Sequence, residues 1–179
     1  MEDEISVSEN IQDQKKKKST AAGYAVSFLI KTGVTVIAIW ILLDFIIGVF
    51  VCHDNNAYPM IKDGDLCVFS RLESVHQGDG IIYRIDNTEY FGRIAAVGGE
   101  VVDIEAGSVI VDGNVFNEQT VYPTANDGSR IEFPYKVPED CFFVLNDFRD
   151  NMNDSRAFGG IPLSSVKGKV ILVLRRRGI

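Results

Sequence analysis

The sequence has few histidines, few cysteines and no excess of positive charge, and each shortage excludes a class of function. It holds two histidines and three cysteines, and Cys52, Cys67 and Cys141 follow no C-x-x-C or similar spacing. We therefore predict no metal site and no cofactor. The net charge is −7, and after His53 there are 13 Lys or Arg against 19 Asp or Glu. Such a chain cannot neutralise a phosphate backbone, which excludes nucleic acid as a partner.

Cys67 and Cys141 lie in runs that are typical of strands, and two states fit them. They are either buried thiols or one disulfide. Free cysteine packs as a small apolar side chain, so we favour the role of core filler. Three cysteines do not reveal the redox compartment.

Residues 33–52, GVTVIAIWILLDFIIGVFVC, are apolar with Asp44 as the single charge. Twenty residues match a hydrocarbon core of about 30 Å, so we predict a transmembrane anchor helix over 23–52. A carboxylate at mid-membrane costs about 2.5–3.5 kcal/mol and usually marks a contact between helices. Tolerance in a very apolar helix is the alternative for Asp44.

The charges around this run predict its orientation. Four lysines at 15–18 and Lys31 precede it, and the segment CHDNNAYPM after it has no Lys or Arg. The positive-inside rule places the N-terminus in the cytoplasm and residues 53–179 outside the cell membrane, behind one span. The run is too long for a cleaved signal peptide, and no A-x-A-like site follows it. The polar residues 1–22 are predicted to be a disordered cytoplasmic tail.

The rest of the chain alternates between apolar and polar residues in short runs. The clearest are LCVFS, GIIYRI, YFGRIAAVG, EVVDIEAG, SVIVDGNVF, CFFVLN and KVILVLRR. Their period of two and their Val, Ile and Phe content predict strands. Asp112-Gly113 or Gly113-Asn114 within SVIVDGNVF predicts a tight hairpin turn. We expect a mainly β domain over 53–179, built of antiparallel and partly barrelled sheet.

Three segments carry residue choices that strand formation does not explain. Segment A is NAYPMIKDGD (56–65), segment B is YFGRIAAVGGEVV (90–102), and segment C is FVLNDFRDNMNDSRAFGGIP (143–162). In this order behind one anchor, they resemble the conserved boxes of bacterial type I signal peptidases of the Gram-positive kind. Asp154-Ser155-Arg156 with Phe158-Gly159 is the most specific part. The resemblance covers roughly residues 25–175.

The resemblance assigns roles to individual positions, and three of them carry the wrong side chain. Asn56 stands where the family has its nucleophilic serine, Gly92 where it has its general-base lysine, and Met152 where it has a supporting serine. An amide is no such nucleophile and glycine offers no base, so the Ser/Lys mechanism has lost both members. We read the chain as a serine peptidase homologue that leans toward having no activity.

Four other side chains could in principle replace the missing Ser/Lys pair. Lys62, His53, His76 and Ser155 are the amine, imidazoles and hydroxyl near the three segments. None of them forms an obvious triad by sequence. The alternative function is an active signal peptidase in which such groups form a rewired site.

The resemblance also implies roles for residues that remain. Arg93, Asp154 and Arg156 are expected to form a structural ion-pair network. Ala57, Tyr58, Pro59 and Phe91 are candidates for the cleft that takes an extended peptide as an added strand. The predicted function is an inactive membrane protein that binds exported proteins. The family's degenerate members imply an accessory role in cell-surface or pilus assembly, with pilus-type proteins and a sortase system as partners.

Overall fold

An apolar helix, α1, covers Gly23–Ile46 and is long and apolar enough to cross a membrane. The structure, a computed structural model, describes residues 23–53, 55–117 and 122–175, and the predicted tail over 1–22 lies outside these residues. The helix ends with a turn of π geometry at Leu42–Ile46. The chain divides into two compact units between Asp44 and Phe45.

The helix is shorter than predicted. The anchor was expected to continue to residue 52, but Ile47–Val51 forms the first strand. Its residues pair antiparallel with the second strand, for example Val49 with Val68. A run of β-branched residues can serve either a helix or a strand, and here the neighbouring strand decides.

The described strands are short, and their bounds follow the predicted apolar runs closely. In chain order they are β1 Ile47–Val51, β2 Leu66–Ser70, β3 Gly80–Ile85, β4 Thr88–Val97, β5 Val101–Glu105, β6 Ser108–Val111, β7 Asn114–Val115, β8 Tyr135–Lys136, β9 Cys141–Leu145, β10 Ile161–Pro162 and β11 Val166–Leu174. A four-residue helix, α2, covers Ser155–Phe158, and a 3₁₀ turn covers Leu163–Ser165. The prediction of a mainly β, antiparallel class is confirmed.

The strands form two sheets. The larger has the order β1-β2-β11-β3-β4-β9-β10, and the smaller has the order β7-β6-β5-β8. The C-terminal strand β11 lies between β2 and β3 and is antiparallel to both. This position joins the two ends of the β unit, which no local sequence pattern indicates.

The predicted hairpin forms as expected. Val111 pairs with Asn114, which leaves Asp112 and Gly113 as a two-residue loop. Their φ angles are +48° and +76°. Both central residues of a primed turn need positive φ, and Asp-Gly supplies it at low cost.

Three apolar clusters form the core. One lies where the two sheets meet and contains Ala95, Ala96, Val102, Val109, Val111, Val137, Phe143 and Leu145. A second contains Cys52, Ala57, Ile61, Cys67, Phe69, Ile82 and Phe91. A third contains Ile81, Tyr83, Ile94, Phe142, Val144 and Ile161.

All three cysteines are free thiols, which decides between the two states left open by the sequence. Cys52 and Cys67 are buried in the second cluster, where they pack as small apolar side chains. Burial, together with smaller contributions from the nearby Cys52 and Asp65, raises the pKa of the Cys67 thiol to about 11. A thiol with that pKa stays protonated and unreactive at neutral pH.

Candidate functional site

Segment A forms the connection between β1 and β2, and Asn56 at its start lies beside segment C. Asn56 is 6% exposed. Its side-chain oxygen accepts a hydrogen bond from the amide of Asn151. Its backbone oxygen accepts from the Phe148 N–H at 2.9 Å. The Asn56 side chain, which the resemblance assigns to the position of the serine, therefore links segment A to segment C by an amide hydrogen bond.

Gly92 lies in the middle of β4, opposite Ile81 of β3. A Cβ atom at this position would lie 2.4 Å from the Val144 Cγ1 and 3.1 Å from the Tyr83 Cε1. Real Cβ atoms do not approach a neighbour so closely. The space that the first atom of a lysine side chain would need is thus filled by side chains from the two strands adjacent to β4.

Met152 is half-buried in the loop before α2. Its sulfur lies 3.6 Å from the point where a Cβ on Gly128 would be. Its neighbour in the chain, Asn151, holds the loop through other groups: the Asn151 carbonyl accepts from the Asn146 amide at 3.1 Å and from Arg156 at 2.8 Å. The sequence did not indicate a role for Asn151, because its side chain donates to Asn56, which is 95 residues away in the chain.

Asp154, Ser155 and Arg156 are fully buried at the N-terminus of α2. The Asp154 carboxylate caps the helix by accepting from the Arg156 N–H at 3.0 Å, and it also accepts from the Asn146 N–H at 3.1 Å. The Ser155 hydroxyl oxygen accepts from the Val144 N–H at 2.8 Å. These two side chains therefore supply acceptors to the N–H groups along the end of β9.

The guanidinium of Arg156 completes this arrangement. It donates to both oxygens of Asp154, at 3.0 and 2.8 Å, and to the carbonyls of Ala125, Arg149 and Asn151. A buried charge pair with this number of hydrogen bonds fixes the loops that it joins. Asp154, Ser155 and Arg156 therefore hold the end of β9 and the neighbouring loops in place.

The predicted network of Arg93 with Asp154 and Arg156 needs correction. Arg93 forms a two-bond ion pair with Asp147, at 2.9 and 3.0 Å, and donates to the Gly78 carbonyl at 2.8 Å. Asp154 forms its ion pair with Arg156. There are thus two pairs, one from segment B and one within segment C. Asp147, which belongs to segment C, was not among the residues predicted for the network.

The predicted cleft residues divide into two groups. Ala57 and Phe91 are 0% and 4% exposed and belong to the second core cluster, so their side chains are not open to a peptide. That part of the prediction is wrong, because segment A folds back with the Ile61 N–H bonded to the Ala57 carbonyl. Tyr58 and Pro59 are exposed.

Three of the four groups that could replace the lost catalytic side chains contact other groups: Ser155, Lys62 and His76. The Ser155 oxygen accepts from backbone, as described above. The Lys62 amine lies 5.5 Å from the centre of the Tyr58 ring. The His76 Nδ1 is 3.7 Å from a carboxylate oxygen of Asp79. Within 23–53, 55–117 and 122–175, no group of three or more His, Cys, Asp or Glu side chains is suited to a metal ion.

Comparison with known proteins identifies the family of the chain. The sequence model "Signal peptidase, peptidase S26" matches residues 25–175. The chain belongs to this signal peptidase family. The match confirms the resemblance drawn from segments A to C and its extent along the chain. The chain is thus a homologue of serine peptidases.

The chain is similar to several named signal peptidases, one of which is described as inactive. A signal peptidase I of Leptolyngbya laminosa is 30% identical over 113 residues, which are 62% of this chain and 51% of that protein. The chain thus spans about half the length of that relative. An "Inactive signal peptidase IA" of Staphylococcus aureus (strain Mu50) is 26% identical over 156 residues, 82% of this chain and 90% of that one.

Two further similarities were found. Signal peptidase IB of the same S. aureus strain is 24% identical over 170 residues, covering 81% of this chain and 86% of that protein. A crystal structure of a signal peptidase I from Enterococcus faecalis V583 matches with a TM-score of 0.48 and 22% identity. That match covers 56% of this chain and 98% of the other.

Proposed function

We propose that this signal peptidase homologue is a membrane-anchored protein that binds an extended segment of exported proteins and does not cleave it. The observation that carries the proposal is the closed space at Gly92. A general base needs a side chain there, and the Val144 and Tyr83 side chains occupy the position of its first carbon. At the position proposed for the nucleophile, Asn56 has an amide in place of a hydroxyl.

Activity is tested with the purified full chain and an exported precursor. We expect no cleavage above the uncatalysed level, even at high protein concentration, whereas an active family member processes the same precursor. The Asn56→Ser, Gly92→Lys variant is expected to stay inactive, because the lysine cannot be seated against Val144. Cleavage by the unaltered chain overturns the proposal and supports the alternative of a rewired peptidase.

Backbone edges that a peptide can join support the binding part of the proposal. β4 pairs with β9 only from Arg93 onward. Over residues 88–92 it pairs with β3, and no strand in the described ranges covers its other edge. Since the Ile94 N–H bonds to Asp79 of the β3 side, alternation directs the backbone groups of Glu89 and Phe91 to the open edge. Such an edge binds extended chains through main-chain hydrogen bonds.

The edge can be tested by removing one donor. Glu89→Pro deletes an N–H on the open edge, where proline is tolerated, and Glu89→Ala keeps the N–H as the matched control. We expect peptide affinity to fall about tenfold for the proline variant, as for the loss of one well-made hydrogen bond. Equal affinity of the two variants means that peptide does not join this edge.

The anchor and its orientation are part of the proposal. The lysines at 15–18 and Lys31 favour a cytoplasmic N-terminus, with the β unit outside the cell membrane of a Gram-positive cell. Thiol or protease accessibility at each end of the chain in intact cells and in inverted vesicles tests this. Protection of the β unit in intact cells contradicts it.

The finer assignment is an accessory factor in cell-surface or pilus assembly, with a sortase system as a partner. It is supported by the degenerate catalytic positions in a family whose members act on exported chains. Deletion of the protein should impair assembly of a surface protein, and crosslinking from membranes should recover that protein. Normal assembly in the deletion strain contradicts the assignment. As a point variant in this assay, Asn56→Ala is more suitable than Gly92→Ala, because a Cβ at position 92 also disturbs packing.

A further inference from the structure

Three aromatic side chains from three parts of the chain meet beside Asn56. Tyr58 belongs to segment A, Phe148 to segment C, and Tyr122 to the loop between β7 and β8. The ring centroids of Tyr58 and Tyr122 are 6.4 Å apart, and those of Tyr122 and Phe148 are 5.1 Å apart with the planes at 88°. Since the Phe148 N–H donates to the Asn56 carbonyl, these rings, here called the aromatic cluster, adjoin that residue.

The aromatic cluster lies on the surface of the β unit. None of its rings belongs to the three core clusters of the described residues. Tyr58 is 37% exposed, and Tyr122 and Phe148 are half-buried. Core packing therefore does not account for the cluster. Partly exposed aromatic rings supply a large contact area with few rotatable bonds, which is typical of recognition surfaces.

Buried arginines hold the loop that carries Tyr122. Thr124, two residues further on, is 1% exposed, and its hydroxyl oxygen accepts from the Arg149 guanidinium at 2.9 Å. The Ala125 carbonyl accepts from the Arg156 guanidinium at 3.1 Å. Both arginines belong to segment C and are at most 1% exposed. The ring of Tyr122 is thus fixed relative to segment C before any ligand arrives, which lowers the entropic cost of binding.

A cation borders the aromatic cluster. The Lys62 ammonium lies 5.5 Å from the centroid of the Tyr58 ring, and within the described residues it forms no ion pair. The carboxylate of Asp65 is 3% exposed and accepts from the Lys62 backbone N–H instead. The cluster therefore pairs apolar rings with an available positive charge, in a chain whose net charge is −7. The complementary ligand is an aromatic group beside a carboxylate.

The aromatic cluster also lies where the open edge of β4 ends. β9 pairs with β4 as far as Leu145, opposite Arg93, and Phe148 follows three residues later. The Arg93 Nη2 donates to the Met60 sulfur at 3.4 Å, so segment A borders the same place. A peptide strand added along residues 88–92 lies in line with β9. Its end therefore reaches the part of segments A and C that carries the rings.

We infer that the aromatic cluster and Lys62 bind an aromatic residue next to an acidic one in the extended segment of an exported protein. The inference rests on the proposed peptide binding at β4. It adds a sequence preference to that function, because the rings select the aromatic side chain and the ammonium selects its carboxylate neighbour.

The test measures the affinity of the full chain, in a mild detergent, for synthetic peptides of one length. They carry Tyr-Glu, Ala-Glu, Tyr-Gln or Ala-Gln at one position, and fluorescence anisotropy reports binding. We expect the Tyr-Glu peptide to bind about tenfold more tightly than the Ala-Glu peptide, as for about 1.4 kcal/mol from ring contacts. Equal affinities for all peptides, with binding still weakened by Glu89→Pro, overturn the inference while the proposed function stands. Binding of none of them overturns both.

Variants assign the preference to individual side chains. Tyr58→Ala should abolish the preference for Tyr-Glu over Ala-Glu, whereas Tyr58→Phe keeps the ring and should retain it. Lys62→Gln should abolish the preference for Tyr-Glu over Tyr-Gln and leave the aromatic preference. Lys136→Gln, at an exposed lysine of β8, is the matched control and should change neither. Thermal unfolding confirms that each variant is folded. A folded Tyr58→Ala variant with the original preference, or equal effects of the two lysine variants, overturns the inference.

Discussion

Asp154→Ala is expected to destabilise the β unit strongly without touching any surface that a ligand reaches. Asp154 and Arg156 have side chains that are 0% exposed. The substitution removes the acceptor of the Asn146 N–H and leaves the guanidinium of Arg156 without its counter-charge. Breaking a buried pair in this way costs about 3–5 kcal/mol.

That cost is large compared with the total stability of a domain, which is about 5–15 kcal/mol. For a unit of this size, it corresponds to a fall in Tm of about 10–20 °C. The assay is thermal unfolding of the full chain in a mild detergent, followed by near-ultraviolet circular dichroism of its tyrosines. Asp154→Asn keeps an oxygen for the helix cap but loses the charge. Its Tm should therefore lie between that of the unaltered chain and that of Asp154→Ala.

The matched control is an exposed ion pair between β3 and β4. Arg84 and Glu89 are 43% and 30% exposed. An exposed pair contributes about 0–1 kcal/mol, so Glu89→Ala should leave the Tm nearly unchanged. If Asp154→Ala lowers the Tm by no more than Glu89→Ala does, the assignment of segment C as a structural clamp is wrong.

Three further predictions follow from the packing and the charges. Gly92→Ala should destabilise the β unit by about 1–3 kcal/mol through the clash with Val144, and adding Val144→Ala should restore part of that in denaturant unfolding; additive losses would contradict the clash. Because the folded pKa of Cys67 is about 11 and its ordinary value is 9.0, its contribution to stability is fully present below pH 9 and is lost as pH rises toward 11. A Cys67→Ala variant should therefore lose less stability over that range, and equal pH profiles would contradict this. Asp147→Asn should cost less than Asp154→Ala in the same unfolding assay, because the side chains of Arg93 and Asp147 are 20% and 9% exposed and water can replace part of the pair; an equal cost would show that the two pairs are equivalent.

The sequence by itself determined the features that depend on local period and composition. The apolar run over 33–52 indicated α1, alternation indicated the strands, and Asp112-Gly113 indicated the tight turn with its two positive φ angles. Segments A to C indicated the family, since their order and residue types are readable without a structure. These features follow from neighbouring residues along the chain.

Only the tertiary structure decided which residues meet across the strands. It ended α1 at Ile46 by pairing β1 with β2, and it gave Arg93 the partner Asp147. It filled the space beside Gly92 with Val144, and it buried Phe91 in a core. Each of these contacts depends on register between strands that are far apart in sequence. A shift of one residue reverses which side chains share a face, and a linear sequence does not record that choice.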